Sequence, residues 1–382
     1  MKCLAIVYLA LLLLVPSGFP QGSLTPPGAP APTMKTLDQL EPRTPIAALP
    51  FTISASGSYY VTGNLTAAGA ASGITIATSD VTLDLGGFAL TGGGSGTTGR
   101  AIDVTGLLRR NIYIRNGTVR GWSNGGVRAD LATAVTVEKV RVIGNSGNAG
   151  DAGLVVGANS LVQDCVASNN SAGFAAMAGI RAGDGSTVTG CVASSNGTLG
   201  FDLGKNVIVK ECAASGTVLG GGFKVGENSM LINCTAMGNQ GGAGIDAGPQ
   251  SALNTCTASN NTGHGIVVLG TCAITNCSAY ANTSMGIRAD IGNVSNSNAT
   301  SNGSTGIHAS TVTNSVVRVN TGTGLQCEVA TNCVAKDNGH HGIFAPGGVV
   351  SFCKAFQNNV NNDGGLDISA ANATRTGNNP TP

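Results

Sequence analysis

The chain has little charge, few aromatic residues and no helical periodicity. Asp, Glu, Lys and Arg make up 10% of its 382 residues, and the formal net charge is +1. Because this leaves no basic face for a phosphate backbone, we expect no nucleic-acid partner. Aromatic residues are 4% of the chain and Trp122 is the one tryptophan, so stacking platforms for a ligand are scarce. Apolar residues nowhere follow the spacing of a helix face, which excludes a helical fold.

Apolar runs long enough to span a bilayer are also missing, and the one extended run is N-terminal. Lys2 precedes an apolar segment from Leu4 to Val15, which ends at Pro16-Ser17-Gly18. This order predicts a secretory signal peptide over residues 1–21. Residues 22–49 are rich in proline and predict an extended leader, in which Met34 to Leu40 forms a short cap on the first coil. We therefore expect an exported protein, secreted or at the cell surface.

The abundant feature is a short phrase that recurs about every twenty residues. It reads Asn or Asp, Cys, any residue, Ala, then Asn, then Gly with a large apolar residue, as in Asn276-Cys277-Ser278-Ala279, Asn282 and Gly286-Ile287. Its Cys position holds Cys165, Cys191, Cys212, Cys234, Cys256, Cys277, Ser297, Ser315, Cys333 and Cys353. Its Asn position holds Asn170, Asn196, Thr217, Asn239, Asn261, Asn282, Asn302, Asn320, Asn338 and Asn358. So short a period predicts a solenoid, whose repeats bury their apolar faces by stacking.

Within each repeat, apolar residues alternate in runs of a few residues, which predicts three short strands per coil. In the repeat from Ser251, we expect Leu253, Cys256 and Ala258 to point inward, with a bend at Thr255. Asn or Gly often precedes the Cys position, and both tolerate the left-handed conformation of a one-residue corner. The predicted fold is all-β, a parallel solenoid of about fourteen coils over residues 50–370, with a tail over residues 371–382.

Three kinds of segment resemble the right-handed parallel β-helix of the pectate-lyase-like superfamily, in particular its secreted bacterial repeat proteins. These are Leu83-Asp84-Leu85-Gly86-Gly87-Phe88, Ile114-Arg115-Asn116-Gly117-Thr118-Val119 and the later Asn-Cys-x-Ala units. The resemblance implies a right-handed coil and places a polysaccharide groove on the sheet that follows each Gly-Ile pair. It does not imply one activity, because the superfamily includes lyases, hydrolases, epimerases and non-catalytic spikes.

Stacking should turn the Asn and Cys positions into two ladders. We interpret the Asn ladder as structural, with side-chain amides linking successive coils. The ladder cysteines are expected to be buried, reduced thiols, although an exported chain with 11 cysteines also leaves disulfides open. Cys272 and Cys327 lie outside the ladder and are the better disulfide candidates. A column of thiols cannot surround a zinc ion, so we expect no metal and no cofactor.

The residue after each Gly-Ile pair should point outward and carries much of the scarce charge. This column is predicted to read Asp103, Arg128, Val155, Arg181, Asp202, Lys224, Asp246, Val267, Arg288, His308, Gln326, Phe344 and Asp367. The candidate catalytic residues are Asp202, Lys224, Asp246, His264, Arg288 and His308. A lyase would need a base and a cation from this set, whereas a hydrolase would need two carboxylates. An ion-pair ladder from Arg181 to Asp246 is the structural alternative.

Sequence signatures of the known enzymes are missing. Gly263-His264-Gly265 is similar to a polygalacturonase motif, but the other motifs of that family and the calcium-binding Asp cluster of pectate lyases are not present. We therefore expect an exported, non-catalytic rod that contacts extracellular or cell-surface glycans. A polysaccharide lyase or glycoside hydrolase, and a purely structural surface or adhesion protein, are the alternatives.

Overall fold

The computed structural model describes residues 42–69, 71–93, 99–147, 151–171, 177–370, 374–377 and 379–380. The chain divides into the units Met1–Pro42 and Arg43–Pro382, and the description below concerns the second unit. The signal peptide over residues 1–21, most of the leader and the cap at Met34 to Leu40 lie outside the described residues. They remain predictions.

The second unit is an all-β parallel solenoid of about fourteen coils, and its described residues contain no helix. Every strand pairs in parallel with the equivalent strand of the next coil, as Ile245–Ala247 pairs with Ile266–Val268. The strands form three stacks, A, B and C, each running along the solenoid axis.

Stack A follows the Gly-Ile pairs. It contains Phe51–Ile53, Ile74–Ile76, Ile102–Val104, Val127–Ala129, Ala152–Val156, Ala178–Ala182, Phe201–Leu203, Phe223–Val225, Ile245–Ala247, Ile266–Val268, Ile287–Ser295, Ile307–Thr313, Leu325–Thr331, Ile343–Phe344 and Ile368–Ser369. The strands Ile287–Ser295, Ile307–Thr313 and Leu325–Thr331 continue into stack B.

Stacks B and C complete each coil. Stack B contains Thr44–Ile46, Gly57–Val61, Val81–Asp84, Arg110–Arg120, Thr133–Ile143, Leu161–Gln163, Thr187–Thr189, Ile208–Lys210, Met230–Ile232, Ala252–Asn254, Ala273–Thr275, Val349–Ser351 and Thr374–Thr376. Stack C contains Leu65–Thr66, Ala89–Thr91, Val166–Ser168, Val192–Ser194, Ala213–Ser215, Thr235–Met237, Thr257–Ser259, Ser278–Tyr280, Asn298–Thr300, Val316–Arg318, Val334–Lys336, Lys354–Phe356 and Asn379–Pro380. Arg110–Arg120 and Thr133–Ile143 extend from stack B into stack C.

One-residue corners separate stack B from stack C, as predicted. Asn276 has φ 57° and Thr255 has φ 55°, both in the left-handed region. The corner at Thr255 lets Leu253 and Cys256 both point inward despite their odd spacing, and each is at most 1% exposed. Asn is frequent at these corners because its short polar side chain reduces the cost of this conformation.

The core fills the inside of the coils with one layer of apolar side chains per repeat. Ile245 and Ile266 pair across adjacent coils and are both fully buried, which confirms the predicted inward direction. Phe201 and Phe223 stack with ring centroids 4.6 Å apart and ring planes 3° from parallel. The strands are only a few residues long, so each coil depends on the next for burial of its apolar face.

The ladder cysteines are buried in this core. All ten cysteines of the described residues have free thiols, and those of the ladder lie in line along the axis. The Cys277 thiol lies 3.3 Å from the carbonyl oxygen of Thr275, and the Cys256 N–H lies 3.4 Å from the sulfur of Cys277. Cys272 and Cys327, expected as the better disulfide candidates, are free thiols as well, so that alternative is wrong in this structure.

The Asn ladder runs in two hydrogen-bonded segments, from Asn145 to Asn196 and from Thr217 to Asn358, and Asn282 shows how its polar atoms are satisfied. Asn282 donates from Nδ2 to the Ala258 carbonyl and to Asn302 Oδ1, both at 3.0 Å. Its Oδ1 accepts from the backbone N–H and from Nδ2 of Asn261, at 3.1 and 2.9 Å. A Cβ on Gly265 would lie 2.7 Å from Asn282 Nδ2, so the Gly of each Gly-Ile pair makes room for the ladder beneath it.

Candidate functional site

The outward column of stack A has the predicted register over most of its length. Asp103, Arg128, Val155, Arg181, Asp202, Lys224, Asp246, Val267, Arg288, His308, Gln326 and Phe344 occupy equivalent positions of successive strands. We call their outer surface the stack A face. Five of the six candidate residues lie on this column. The sixth, His264, lies two residues before the strand Ile266–Val268.

The last predicted position of the column is wrong. Phe344 pairs with Ser369, so Ser369 and not Asp367 occupies the column. Asp367 instead ends the Asn ladder, because its Oδ1 accepts from Nδ2 and from the backbone N–H of Asn358, at 2.7 and 3.0 Å. A carboxylate can end such a ladder since it accepts hydrogen bonds and has no N–H left to satisfy.

Arg181 and Asp202 form the one ion pair of the predicted ladder. Nε and Nη2 of Arg181 lie 3.0 and 2.9 Å from the same oxygen, Oδ2 of Asp202. Within the described part of the chain, no carboxylate oxygen lies within 4.0 Å of Lys224 Nζ, so the ladder does not continue to Asp246. The pairing leaves Lys224 as an exposed cation without a carboxylate partner.

Lys224 and His264 are close enough to Asp246 to influence its protonation. Removal of water around Asp246 raises the pKa of its carboxyl, while Lys224 and His264 partly oppose this shift. Burial lowers the pKa of His264, and the Arg288 charge adds to the effect. Nδ1 of His264 accepts a hydrogen bond of 3.2 Å from the Met285 N–H, so in the neutral ring Nε2 carries the proton. A cleft of about 450 Å³ lies beside this group, lined in part by Lys224, Asp246 and Arg181.

Two arginines of the column are held by an aspartate of their own strand or corner. Arg288 Nε and Nη2 lie 3.0 Å from Oδ1 and Oδ2 of Asp290, and Arg128 pairs in the same way with Asp130 at 2.8 and 3.1 Å. The sequence Arg-Ala-Asp occurs at both places, and residues two apart in a strand share a face. Sequence reasoning missed Asp130 and Asp290, although this repeated tripeptide was the signal. Both guanidinium groups are therefore engaged before any ligand arrives.

His308 lines a cavity of about 270 Å³ near the C-terminal end of the column. Its Nδ1 is buried, lies 3.6 Å from Oδ1 of Asp290 and has no hydrogen-bond partner among the described residues. The other lining residues include Ser310, Gln326, Glu328 and Phe344, contributed by three successive coils. Ser310 Oγ donates to Glu328 Oε2 at 2.8 Å. Neither Glu328 nor Ser310 was identified from the sequence, since both lie just past the column, at the corner that leaves stack A.

A further charged group lies at the N-terminal end of the column. Arg100 lies 4.0 Å from Asp103 and 3.8 Å from Asp151. Partial burial raises the pKa of Asp103, against the opposing effects of Arg100 and Arg128. Asp103 and Asp151 therefore both lie within ion-pair distance of Arg100.

No group of three or more His, Cys, Asp or Glu side chains that could hold a metal ion occurs among the described residues. In the same part of the chain, no helix is long and apolar enough to cross a membrane.

Comparisons with known proteins agree with this architecture. The family described as "Right handed beta helix region" matches residues 174–290 and 202–321. The described residues have the fold of a right-handed parallel β-helix, which confirms the fold that the sequence resemblance predicted.

The chain is also similar to several solved structures. The A-module of mannuronan C-5 epimerase AlgE6 from Azotobacter vinelandii is 16% identical, with a TM-score of 0.43 over 86% of this chain and 92% of that one. Pectate lyase Pel9A is 15% identical, with a TM-score of 0.35 over 68% and 69%. Tailspike protein 3 of bacteriophage CBA120 is 11% identical, with a TM-score of 0.41 over 90% and 58%. No curated protein matches the sequence.

Proposed function

We propose that the protein is an exported rod that binds an extended polysaccharide along the stack A face without turning it over. The observation that carries the proposal is Lys224, an exposed cation that lines the 450 Å³ cleft and pairs with no carboxylate of the described residues. A second cleft of about 340 Å³ lies near Arg181 and Asp202, towards the adjoining corner. Two open clefts on the same sheet suit a chain-like ligand better than a small compact one.

The ionisable groups argue against turnover at the predicted candidates. A hydrolase needs two available carboxylates, but Asp202 is held by Arg181 and the column position after Asp246 is Val267. A lyase needs a proton acceptor, but the accepting nitrogen of His264 already receives the Met285 N–H. The stack A face therefore has groups that can contact a sugar and lacks a free pair that could act on it.

The enzymatic alternative has one specific observation in its favour. The raised pKa of Asp246 makes this carboxyl a candidate proton donor, and Lys224 could stabilise negative charge beside it. We retain a polysaccharide lyase or glycoside hydrolase as the second candidate. A purely structural surface or adhesion protein is the third, and it requires no glycan contact at this face.

The experiment compares wild type, Lys224→Ala and Lys210→Ala for binding to a panel of acidic and neutral polysaccharides by affinity electrophoresis. Lys210 is an exposed lysine of stack B and serves as the matched control. We expect Lys224→Ala to weaken binding about tenfold, the loss typical of a truncated anchor residue, while Lys210→Ala has no effect.

The same samples are assayed for unsaturated products and for reducing ends. Products that disappear in folded Lys224→Ala would establish the enzyme and refute the non-catalytic proposal. Absence of binding to every polysaccharide would leave the structural role. Binding that is equally strong in all three proteins would show that the ligand uses another surface.

A further inference from the structure

The cavity around His308 combines an aromatic ring with hydrogen-bonding groups in a chain that has few aromatic residues. Phe344 lies on the outward column, one coil beyond Gln326, and lines the cavity together with His308 and Glu328. An outward aromatic ring in line with the polar column is the arrangement that can cover the apolar face of a sugar ring. The equivalent cleft beside Lys224 has Phe223 in its lining, but that ring points into the core and is fully buried.

The orientation of the Phe344 ring is set by its contact with His341. The imidazole of His341 stacks on it with ring centroids 5.2 Å apart and planes 8° from parallel. His341 is itself fixed, because its Nδ1 accepts a hydrogen bond of 2.8 Å from the Leu366 N–H. An aromatic side chain whose orientation is already set loses little conformational entropy when a ligand covers it, which favours binding.

The charges around the cavity select among sugars. Asp290 is paired in bidentate fashion with Arg288, so this arginine is not available to a ligand carboxylate. Glu328 has no cation within 4.0 Å among the described residues, and its carboxylate is exposed at the cavity. An anionic sugar would meet this carboxylate at short range, which disfavours its binding.

The remaining groups suit hydroxyls. Glu328 can accept hydrogen bonds, the Gln326 amide can accept and donate, and the Ser310 hydroxyl can accept while it donates to Glu328. With Nδ1 of His308 buried beside Asp290, Nε2 is the ring nitrogen left for the cavity. A neutral sugar residue presents both donors and acceptors and has no charge to be repelled.

From the juxtaposition of Phe344 with Glu328, His308 and Gln326 around one cavity, we propose that this end of the stack A face is a subsite for a neutral sugar residue. The proposal rests on the proposed polysaccharide binding and adds the class of sugar. It predicts that neutral glycans bind here and that uronate-containing glycans are discriminated against.

The test measures binding of three probes by isothermal titration: a neutral gluco- or manno-oligosaccharide, an oligouronate and an oligomer of glucosamine. The variants are Phe344→Ala and Glu328→Gln, and Phe352→Ala is the matched control because Phe352 is 62% exposed at the corner between stacks B and C. We expect the neutral probe to bind to wild type and to the control alike. Phe344→Ala should weaken it about tenfold or more.

Glu328→Gln should raise the affinity for the oligouronate relative to the neutral probe, because it removes the repelling charge and keeps the shape. This variant also tests the proposal if Phe344→Ala fails to fold. Preference for the oligouronate or for the glucosamine oligomer, or neutral binding unaffected by both variants, would overturn the subsite while leaving polysaccharide binding in place. Failure of every probe, and of the polysaccharide panel, would instead overturn the proposed function.

Discussion

Replacing Asn282 by Ala tests whether the Asn ladder stabilises the solenoid. Asn282 is 1% exposed, and its side chain donates two hydrogen bonds and accepts two. Truncation leaves the buried N–H of Asn261 without its acceptor, at a cost of about 1–3 kcal/mol. The other three bonds involve groups that keep a second partner, so each contributes about 0.5–1 kcal/mol. Together these losses predict a destabilisation of about 2.5–6 kcal/mol.

The assay is denaturant unfolding followed by circular dichroism, with hydrogen exchange of the Asn261 amide as a local readout. Asn298→Ala is the matched control, because Asn298 is exposed on stack C in the next coil and should change stability by less than about 0.5 kcal/mol. Unfolding of the two variants at the same denaturant concentration, with Asn261 equally protected in both, would refute the structural interpretation of the ladder. The Asn positions would then need another explanation.

Three further predictions concern the core and the ionisable groups. Ile266→Asp should destabilise the protein by several kcal/mol because it places an unpaired charge among fully buried neighbours, and an unchanged melting temperature would contradict the inward assignment. Thiol titration should detect about one reactive group in the native protein and most of the cysteines after denaturation without reductant. Burial lowers thiol reactivity in the native protein because it raises the pKa of Cys272 to about 11 and that of Cys327 to about 12. Detection of few thiols after denaturation would instead indicate disulfides. Because the folded protein lowers the pKa of His264, the unfolded chain binds this proton more tightly, so acidification below about pH 6.5 should reduce stability. His264→Asn should remove that part of the pH dependence, which urea titrations at pH 7 and pH 5 would measure. An equal change in the free energy of unfolding between the two pH values in wild type and variant would contradict the prediction.

The coil could be predicted from the sequence because its register is set by the backbone and by small repeated side chains. Gly265 is required because the Asn282 amide packs against it. The Gly and Asn positions therefore recur together and set the register of successive coils. The same regularity placed Lys224 and Asp246 on one outward column. Asp367 was misplaced because the last coil departs from the regular spacing, and its carboxylate replaces an Asn at the end of the ladder.

The partners of the outward charges could not be predicted in the same way. An arginine on the column can reach the equivalent residue of the next coil or the residue two positions further along its own chain, since both lie on the same face at similar distances. Arg181 takes the first choice with Asp202, whereas Arg288 takes the second with Asp290. For these two arginines the choice follows from the sequence, because Gly183 stands two positions after Arg181 and neither column neighbour of Arg288 is a carboxylate. Arg128 has an aspartate at both positions, Asp103 and Asp130, and there the register of the column does not decide between them.

These two pairing modes decide where the stack A face remains open to a ligand. A guanidinium held by two hydrogen bonds must lose them before it can bind a sugar, and the exchange returns little free energy. Arg128, Arg181 and Arg288 are all held in this way. Two groups on this part of the column are not held in this way. One is Lys224 with Asp246, and the other, nearer the C-terminus, comprises the residues around His308 and Phe344. Val267 and the paired Arg288 lie on the column between these two groups. If the proposed polysaccharide contacts both groups, it must be an extended chain, and the Lys224 and Phe344 substitutions then test its binding at two separate points.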